Sequence, residues 1–538
     1  MVSEARFELV SIEQFLAIPA SASRLGLIRI RSMNKHVLSA AILMISSLTA
    51  CGGGSMVTPP PPPTVNATVT VNSTISGPFD LAMSTSFQPA EWDYQFFQNL
   101  PAATTPLGNL QPHHIRLQGI SQGVPQGVEG TSSTAWDFTV LDAITQPVLG
   151  VGDHSPEFQI AKAPAFDYVN DDSSKFFNDP NYAQFAAYAK NLVRYYNTGG
   201  FAPPGGSLLV SPSYPTDKIT WWGIYNEPSI NNFNDTQVLD AVNAANYTKM
   251  YNAVVPAMQS ADGTIKFVAL EMCCSSEDWV PVFASNVTQQ VDAVASHYYS
   301  SCNQRDTDAQ VFATVPGFAS SVQTIYGSLA TNPALANVPV WITENNVNAD
   351  FDTGNGSACH PGQTFVTDKR GSSAFFAAWR PYVFSRVGKA GVQLLYHWDF
   401  DADAQFGEVD YNTGQTQLSY WVDYWLAQMF PGAGQQLLTF NNTDNAEVEA
   451  LPVLNLDGSV VILISNHAVA STTDNNGKGL KGTVTVNVSA LGPFTSASLV
   501  TFDPSTSPIN GPTPVSISPT STITLTLNGY SSALLNLK

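Results

Sequence analysis

Short apolar runs of strand type recur eight times between residues 78 and 398, and longer stretches of helical pattern lie between several of them. The runs are 78–84 (PFDLAMS), 113–119 (HHIRLQG), 146–152 (QPVLGVG), 219–226 (ITWWGIYN), 264–271 (TIKFVALE), 292–299 (DAVASHYY), 339–345 (PVWITEN) and 391–398 (GVQLLYHW). Helical stretches include 181–196, 236–259, 371–388 and 417–428. Strands joined through helices run parallel, because the crossover returns the chain to the same end of the sheet. Eight such units predict an α/β fold, a TIM (β/α)8 barrel. Beyond about residue 436 the helical pattern stops. The segments 447–454, 458–465, 482–488, 497–502, 514–518 and 522–527 are short, alternating and bounded by turns, which predicts a C-terminal antiparallel β-sandwich. The segment TVNATVTVNST (64–74) also alternates, and we expect it to join the sandwich, where its apolar face finds packing.

The N-terminal segment predicts an address. Residues 33–51, MNKHVLSAAILMISSLTAC, place Lys35 and His36 before an apolar stretch too short to span a bilayer. The ending Leu48-Thr49-Ala50-Cys51 resembles the lipobox of bacterial lipoproteins, whose cysteine is lipidated and becomes the new N-terminus. Glu4, Glu8 and Glu13 do not suit an export signal, so Met33 is the expected start. Gly52–Gly54 and Pro59–Pro63 then form a tether, flexible first and stiff after. The predicted organisation is an upstream extension and signal (1–50), lipidated Cys51 with its tether (51–63), a sandwich strand (64–75), the barrel (76–432) and the sandwich (433–538). The expected location is the bacterial cell envelope, with membrane contact only through the lipid on Cys51.

Charge narrows the partner. Lys and Arg number 22 against 42 Asp and Glu, a net charge of −20, which excludes a nucleic-acid partner. Charged residues make up 12% of the chain, about half the usual share. The surface must therefore be largely neutral and polar, which suits a hydroxyl-rich ligand such as a sugar. No cofactor is expected.

Active sites of such barrels form at the C-terminal ends of the strands. There the sequence offers Arg116 on the second strand and Asp153, His154 and Glu157 after the third. The fourth ends in Asn226-Glu227-Pro228, the fifth in Glu271 and the sixth in His297-Tyr298-Tyr299. The seventh ends in Glu344-Asn345-Asn346 and the eighth in His397-Trp398-Asp399. A carboxylate at the end of an apolar strand is costly unless it is bonded or used. Any one of them could be a structural ion pair or a helix cap. Three in a chain so poor in charge mark a site.

These residues carry a resemblance. WWGIYNEP resembles the fourth-strand motif of clan A glycoside hydrolases, and PVWITENN resembles their seventh-strand motif. HIRLQG, HYY and HWD match the clan's Arg, His-x-Tyr and Trp. Within the clan, family 39 (β-xylosidases and α-L-iduronidases) is most similar, and its members also pair a barrel with a β-sandwich. Tyr225 and Asn345 depart from the pattern, as does the loop with Asp153, His154 and Glu157. These positions are expected to line sugar subsites.

The resemblance implies a retaining glycosidase acting on a neutral oligo- or polysaccharide, with a β-xylosidase as the best match. Glu227 would be the acid/base and Glu344 the nucleophile. Asn226 would bond the sugar 2-OH, Arg116 and Tyr299 would donate to Glu344, His297 would face the site, and Trp398 would floor the reacting sugar. Few cations lie near the strand ends, which argues against uronic acids. An endo-acting glycanase or transglycosylase, or an inactive glycan-binding lipoprotein, stay open as alternatives.

Removing Cys51 leaves four cysteines, Cys273, Cys274, Cys302 and Cys359, all after strands five to seven. Export favours their oxidation. The expected pairs are Cys302 with Cys359 and a vicinal Cys273–Cys274. No spacing supports a metal, and the Asp- and Gly-rich loop 350–363 lacks the EF-hand pattern.

Overall fold

The computed structural model describes residues 64–538 except 89–93, 111–113, 119–135, 152–155, 172–175, 232, 234–238 and 274–276. The expectations for Cys51, the signal and the tether fall outside the described residues, as do Asp153, His154 and Cys274.

After an initial strand β1 (Val65–Phe79), eight strands close a parallel barrel. They are β2 (Ala82–Phe87), β3 (Arg116–Leu117), β4 (Glu157–Ile160), β5 (Trp221–Ile224), β6 (Lys266–Met272), β7 (Ala293–Ser301), β8 (Val340–Asn348) and β9 (Leu394–His397). The closing ladder pairs Ala82 with Leu394 through to Thr85 with His397. Alternation sorts the side chains. Trp222 faces outward onto Phe158, with ring centroids 5.1 Å apart, whereas Trp221 turns inward and meets Trp341 at 4.5 Å. Trp221, Trp341 and Tyr396 thereby plug the lower barrel in one cluster.

The third strand is not where the sequence places it. Of the residues expected to form a strand at 146–152, residues 146–150 belong instead to helix Thr139–Gly150. Its buried residues Leu141, Ile144, Thr145, Val148 and Leu149 recur at steps of three and one, the period of a helix face. The short window around Pro147 hid that period. The true third strand is β4, so Glu157 opens a barrel strand rather than sitting in the loop after one.

The C-terminal domain is a curled nine-stranded sheet. It contains β1 and, after the short β10 (Asp401–Ala402) and β11 (Val409–Asp410), eight more strands. These are β12 (Gln435–Asn442), β13 (Val448–Leu454), β14 (Val460–Asn466), β15 (Gly482–Asn487), β16 (Ala497–Phe502), β17 (Val515–Ile517), β18 (Thr522–Leu527) and β19 (Ser531–Leu537). β1 runs antiparallel to β12 and parallel to β15, and buries Val65, Ala67, Val69 and Val71 in the sheet's own core.

The sheet is tied to the barrel by polar contacts. Ser465 donates to the Ala378 carbonyl at 2.7 Å, inside barrel helix Ala374–Lys389. Fully buried Asp308, which opens helix Asp308–Leu329, accepts the backbone N–H groups of Asn476 and Gly477, each at 2.8 Å, and the Tyr530 hydroxyl at 3.0 Å. Replacing Asp308 by Ala leaves these donors without their acceptor. Chemical unfolding should show a loss of about 1–3 kcal/mol, and an unchanged midpoint would refute the role of this junction.

Candidate active site

The upper barrel is organised around Arg116 of β3, which is fully buried. Its guanidinium meets four side chains. Nε donates to Glu271 Oε2 at 2.9 Å, and Nη2 lies 2.8 Å from that same oxygen. Nη1 donates to Gln118 Oε1 and to Glu344 Oε1, both at 3.0 Å. Nη2 also donates to Asn226 Oδ1 at 2.9 Å. The donation to Glu344 is the one expected of Arg116; its N–H groups are taken by the protein, so it positions other residues rather than reaching a ligand itself.

Glu344 lies on β8, and its side chain is only 7% exposed. Besides Arg116, the Tyr299 hydroxyl donates to its Oε2 at 2.8 Å, and His297 Nδ1 lies 3.4 Å away. Burial pushes the Glu344 carboxyl above its usual range, while His297, Arg116 and the Tyr299 hydrogen bond pull it back. Glu227 follows β5 with φ of 45°, in the left-handed region that few residues with a side chain adopt. Its amide donates to the Glu271 carbonyl at 3.0 Å, which fastens it to the end of β6. Its carboxylate meets His297 Nδ1 at 2.8 Å. Burial lowers the His297 imidazole, but Glu344, Glu227 and Glu271 outweigh that and hold it at about 9, so it is an imidazolium at neutral pH.

One oxygen of Glu227, one of Glu344 and a nitrogen of His297 all lie within 4.8 Å of one another. A set of two carboxylates and an imidazole is also a conceivable metal cage. Here Arg116 and the imidazolium already supply the positive charge. On the open side stand Asn226, Glu227, Tyr299 and Trp398, each partly exposed. Asn226 Oδ1 takes donors from Arg116 and from Gln159 (2.8 Å), which fixes its amide and keeps Nδ2 as the group to offer a ligand. The Trp398 indole N–H donates to Gln88 Oε1 at 3.2 Å, and its ring packs edge-on against Phe406 at 4.8 Å. Asn346, with the same parity as Glu344, holds the Trp398 carbonyl at 2.6 Å.

Two expected specificity positions do not line the site. Tyr225 is fully buried, with its hydroxyl 2.8 Å from that of Tyr168. Asn345 is fully buried and bonds the Tyr298 carbonyl at 2.7 Å. Asn345 neighbours Glu344 within β8 and so points to the opposite face of that strand, whereas Tyr225 lies just past β5 with φ of 73°, where alternation no longer sets the direction. The sequence reading also missed Gln88, Gln118 and Gln159. Gln118 has the parity of Arg116, so the motif HIRLQG contained that signal. Gln159 was hidden by the misplaced third strand.

At the rim, a disulfide joins Cys302 and Cys359, the loops after β7 and β8, with Cα atoms 5.9 Å apart. In the acidic loop, Asp350 is occupied by its own surroundings, accepting from Ser357 Oγ at 2.7 Å and the Cys359 amide at 2.9 Å.

Solved structures similar to this chain are glycoside hydrolases. A monomeric β-xylosidase from Caulobacter crescentus CB15 aligns with a TM-score of 0.58 and 14% identity, over 88% of this chain and 99% of that one. A glucosidase from Croceicoccus marinus aligns with 0.57 and 14%, over 88% and 99%. The α-L-arabinofuranosidase of Thermotoga maritima aligns with 0.57 and 13%, over 87% and 99%. The fold is that of clan A glycoside hydrolases. No family model matches the sequence, and no curated protein does.

Arg116 beside buried Glu271 and Glu344, with buried Glu157 4.0 Å away, predicts a stability effect. Arg116→Ala should cost about 3–5 kcal/mol at pH 7, the usual cost of stripping a buried ion pair of one partner. The loss should shrink as the pH falls and the stranded carboxylates take up protons. Equal losses at pH 7 and pH 4 in denaturant titrations would contradict this account.

Proposed function

We propose that this protein is a retaining glycoside hydrolase acting on a neutral oligo- or polysaccharide, with β-xylosides as the first substrates to try. The observation that carries the reading is the approach of Glu227 and Glu344 to within 4.8 Å. Retaining enzymes place their carboxyls about 5–5.5 Å apart, whereas inverting ones leave room for a water between them.

The chemistry follows from the neighbours. Glu344 attacks the anomeric carbon while Glu227 gives its proton to the leaving oxygen. The closeness of Glu227 to Glu344 means that the charge lost from one can be taken up by the other in the same step. Once Glu344 is esterified its charge is gone, Glu227 is released to ionise, and it then takes the proton of the incoming water. The imidazolium of His297 touches both and follows the charge from one to the other. Asn226 offers its N–H to the sugar hydroxyl beside the reacting carbon, and Trp398 offers an aromatic surface. The alternative of an inactive glycan-binding barrel is disfavoured by the intact pair and its complete set of partners. Export as a lipoprotein anchored through Cys51 belongs to the same proposal and rests on the sequence pattern at residues 33–51.

Screening aryl xylosides, glucosides, galactosides and arabinosides tests the class. Glu344→Ala should abolish turnover and be partly rescued by azide, giving the inverted glycosyl azide; near wild-type activity in this variant would sink the assignment. Glu227→Ala should harm poor leaving groups far more than activated aryl glycosides, and equal losses would argue against Glu227 as the acid. Tyr299→Phe removes a hydrogen bond that lowers the Glu344 carboxyl. The acid limb of kcat/KM should move up by about one pH unit, and a limb that stays or moves down would refute that role for Tyr299.

A further inference from the structure

Below the catalytic pair lie two carboxylates that the mechanism above does not use, Glu157 at the start of β4 and Glu271 on β6. Both are fully buried. They converge on Gly223 of β5: a Cβ built there would stand 2.1 Å from Glu271 Oε1 and 3.0 Å from Glu157 Oε1. The missing side chain makes room for both oxygens. The groups facing them come from every neighbouring strand. Arg116 is on β3 and Gln159 on β4. His297 on β7 has its Nε2 3.9 Å from Glu271, Glu344 is on β8, and Tyr396 on β9 faces Glu157. Glu227 closes the set from above.

Glu157 and Glu271 are served unequally. Glu271 Oε2 receives Arg116 Nε at 2.9 Å, Arg116 Nη2 at 2.8 Å and Gln159 Nε2 at 2.7 Å. Glu157 meets Arg116 only at 4.0 Å. Neither Glu157 oxygen accepts a well-formed hydrogen bond within the described residues, and neither does Glu271 Oε1 or Gln159 Oε1. These four oxygens face two nearby donor groups, His297 Nε2 and the Tyr396 hydroxyl, so acceptors outnumber donors and a proton on one carboxyl narrows the gap.

The charges agree. Four buried or nearly buried carboxylates (Glu157, Glu227, Glu271 and Glu344) face two cations, Arg116 and the His297 imidazolium. Two carboxylates must stay neutral if the cluster is to carry no net charge. The proposed reaction starts with Glu344 as the attacking anion and Glu227 as the proton donor, and Glu271 is the partner that Arg116 and Gln159 hold closely while Glu157 stands 4.0 Å from the guanidinium. The remaining proton belongs to Glu157. During glycosylation the bond from Glu344 to the anomeric carbon forms, the bond to the leaving oxygen breaks, and the proton of Glu227 goes to that oxygen. One negative charge leaves Glu344 as one appears on Glu227. The cluster stays neutral throughout the cycle provided Glu157 keeps its proton.

We propose that Glu157 is a positioning residue that works as a neutral carboxylic acid: protonated, it leaves Arg116 to Glu271 and Glu344, and its ionisation draws the guanidinium away from the nucleophile. Burial and the neighbouring Glu271 push its carboxyl up to about 8, in keeping with that state at neutral pH. The protonation stands on geometry and charge alone, whereas its catalytic effect rests on the glycosidase reading.

Glu157→Gln makes the neutral form permanent, and the full chain should be compared with this variant in two ways. Infrared difference spectra should show a buried carboxylic-acid carbonyl band in the wild type at pH 7 that disappears near pH 8 and is missing from the variant. With a dinitrophenyl glycoside, which needs no acid catalyst, the alkaline limb of wild-type kcat/KM should fall near the same pH. In the variant that limb should move up by about a unit or more, with kcat/KM at pH 6 within about threefold of wild type. A missing infrared difference, an unmoved limb, or a variant that does not fold would each overturn the proposal, since an amide is what it equates with Glu157. A wild type that keeps the infrared band but cleaves no glycoside would refute the glycosidase reading and leave the protonation standing. Thermal stability gives a third reading. A carboxyl whose folded pKa lies above the ordinary 4.5 costs stability as pH rises from there through about 8. The advantage of Glu157→Gln in melting temperature should therefore grow over that window, and a constant difference would count against it.

Discussion

The Arg116 guanidinium holds the site together by saturating itself. It reaches Glu271, Gln118, Glu344 and Asn226, and so connects the proposed nucleophile, the Asn226 amide and the carboxylate layer beneath them. A planar fork with five N–H groups can do this, whereas a lysine, with one compact ammonium, could serve only part of the set. Much nearby follows from having one buried, fully bonded cation at the centre. Glu344 can be buried yet ionisable, Asn226 has a fixed orientation, and His297 is left to mediate between the two catalytic carboxylates.

Strain accompanies this organisation. Tyr225, Glu227, Leu270 and Glu271 all have positive φ, and they stand at the ends of β5 and β6. Such conformations cost about 1–3 kcal/mol each and persist where surrounding contacts impose them. Here the amide of Glu227 is bonded to the Glu271 carbonyl, and the Leu270 amide takes the Tyr247 hydroxyl at 2.7 Å. The turn that presents the proposed acid is thus braced from its neighbouring strand and from a helix behind it.

Much of this was legible in the sequence, because strands read by parity and end in recognisable residues. His297 and Tyr299 share a face with each other, and Glu344 projects from the end of an apolar run. Parity also exposed its own misuse, since Asn345 was expected in the subsites although it sits one residue from Glu344 on the same strand; Tyr225 lies past the end of β5, where parity no longer tells the direction. The third strand was unreadable for a different reason. QPVLGVG has the composition of a strand, and only the longer window from Leu141 to Leu149 shows the helical step. That error hid the Glu157–Gln159 layer. The strands at 435–442 and 531–537 escaped because their ends carry Gln, Ser and Asn beside apolar residues, which blurs a short pattern.

The closed bonding of Arg116 also sets how this site can greet a ligand. Among the described residues of the strand-end cluster the cations are Arg116 and His297, both buried against carboxylates, and these ion pairs lie where dissolved salt hardly reaches them. Recognition is left to amides, hydroxyls and the Trp398 face. Such a surface engages its ligand by contact rather than by long-range attraction, so dilute and briny surroundings look much the same to it.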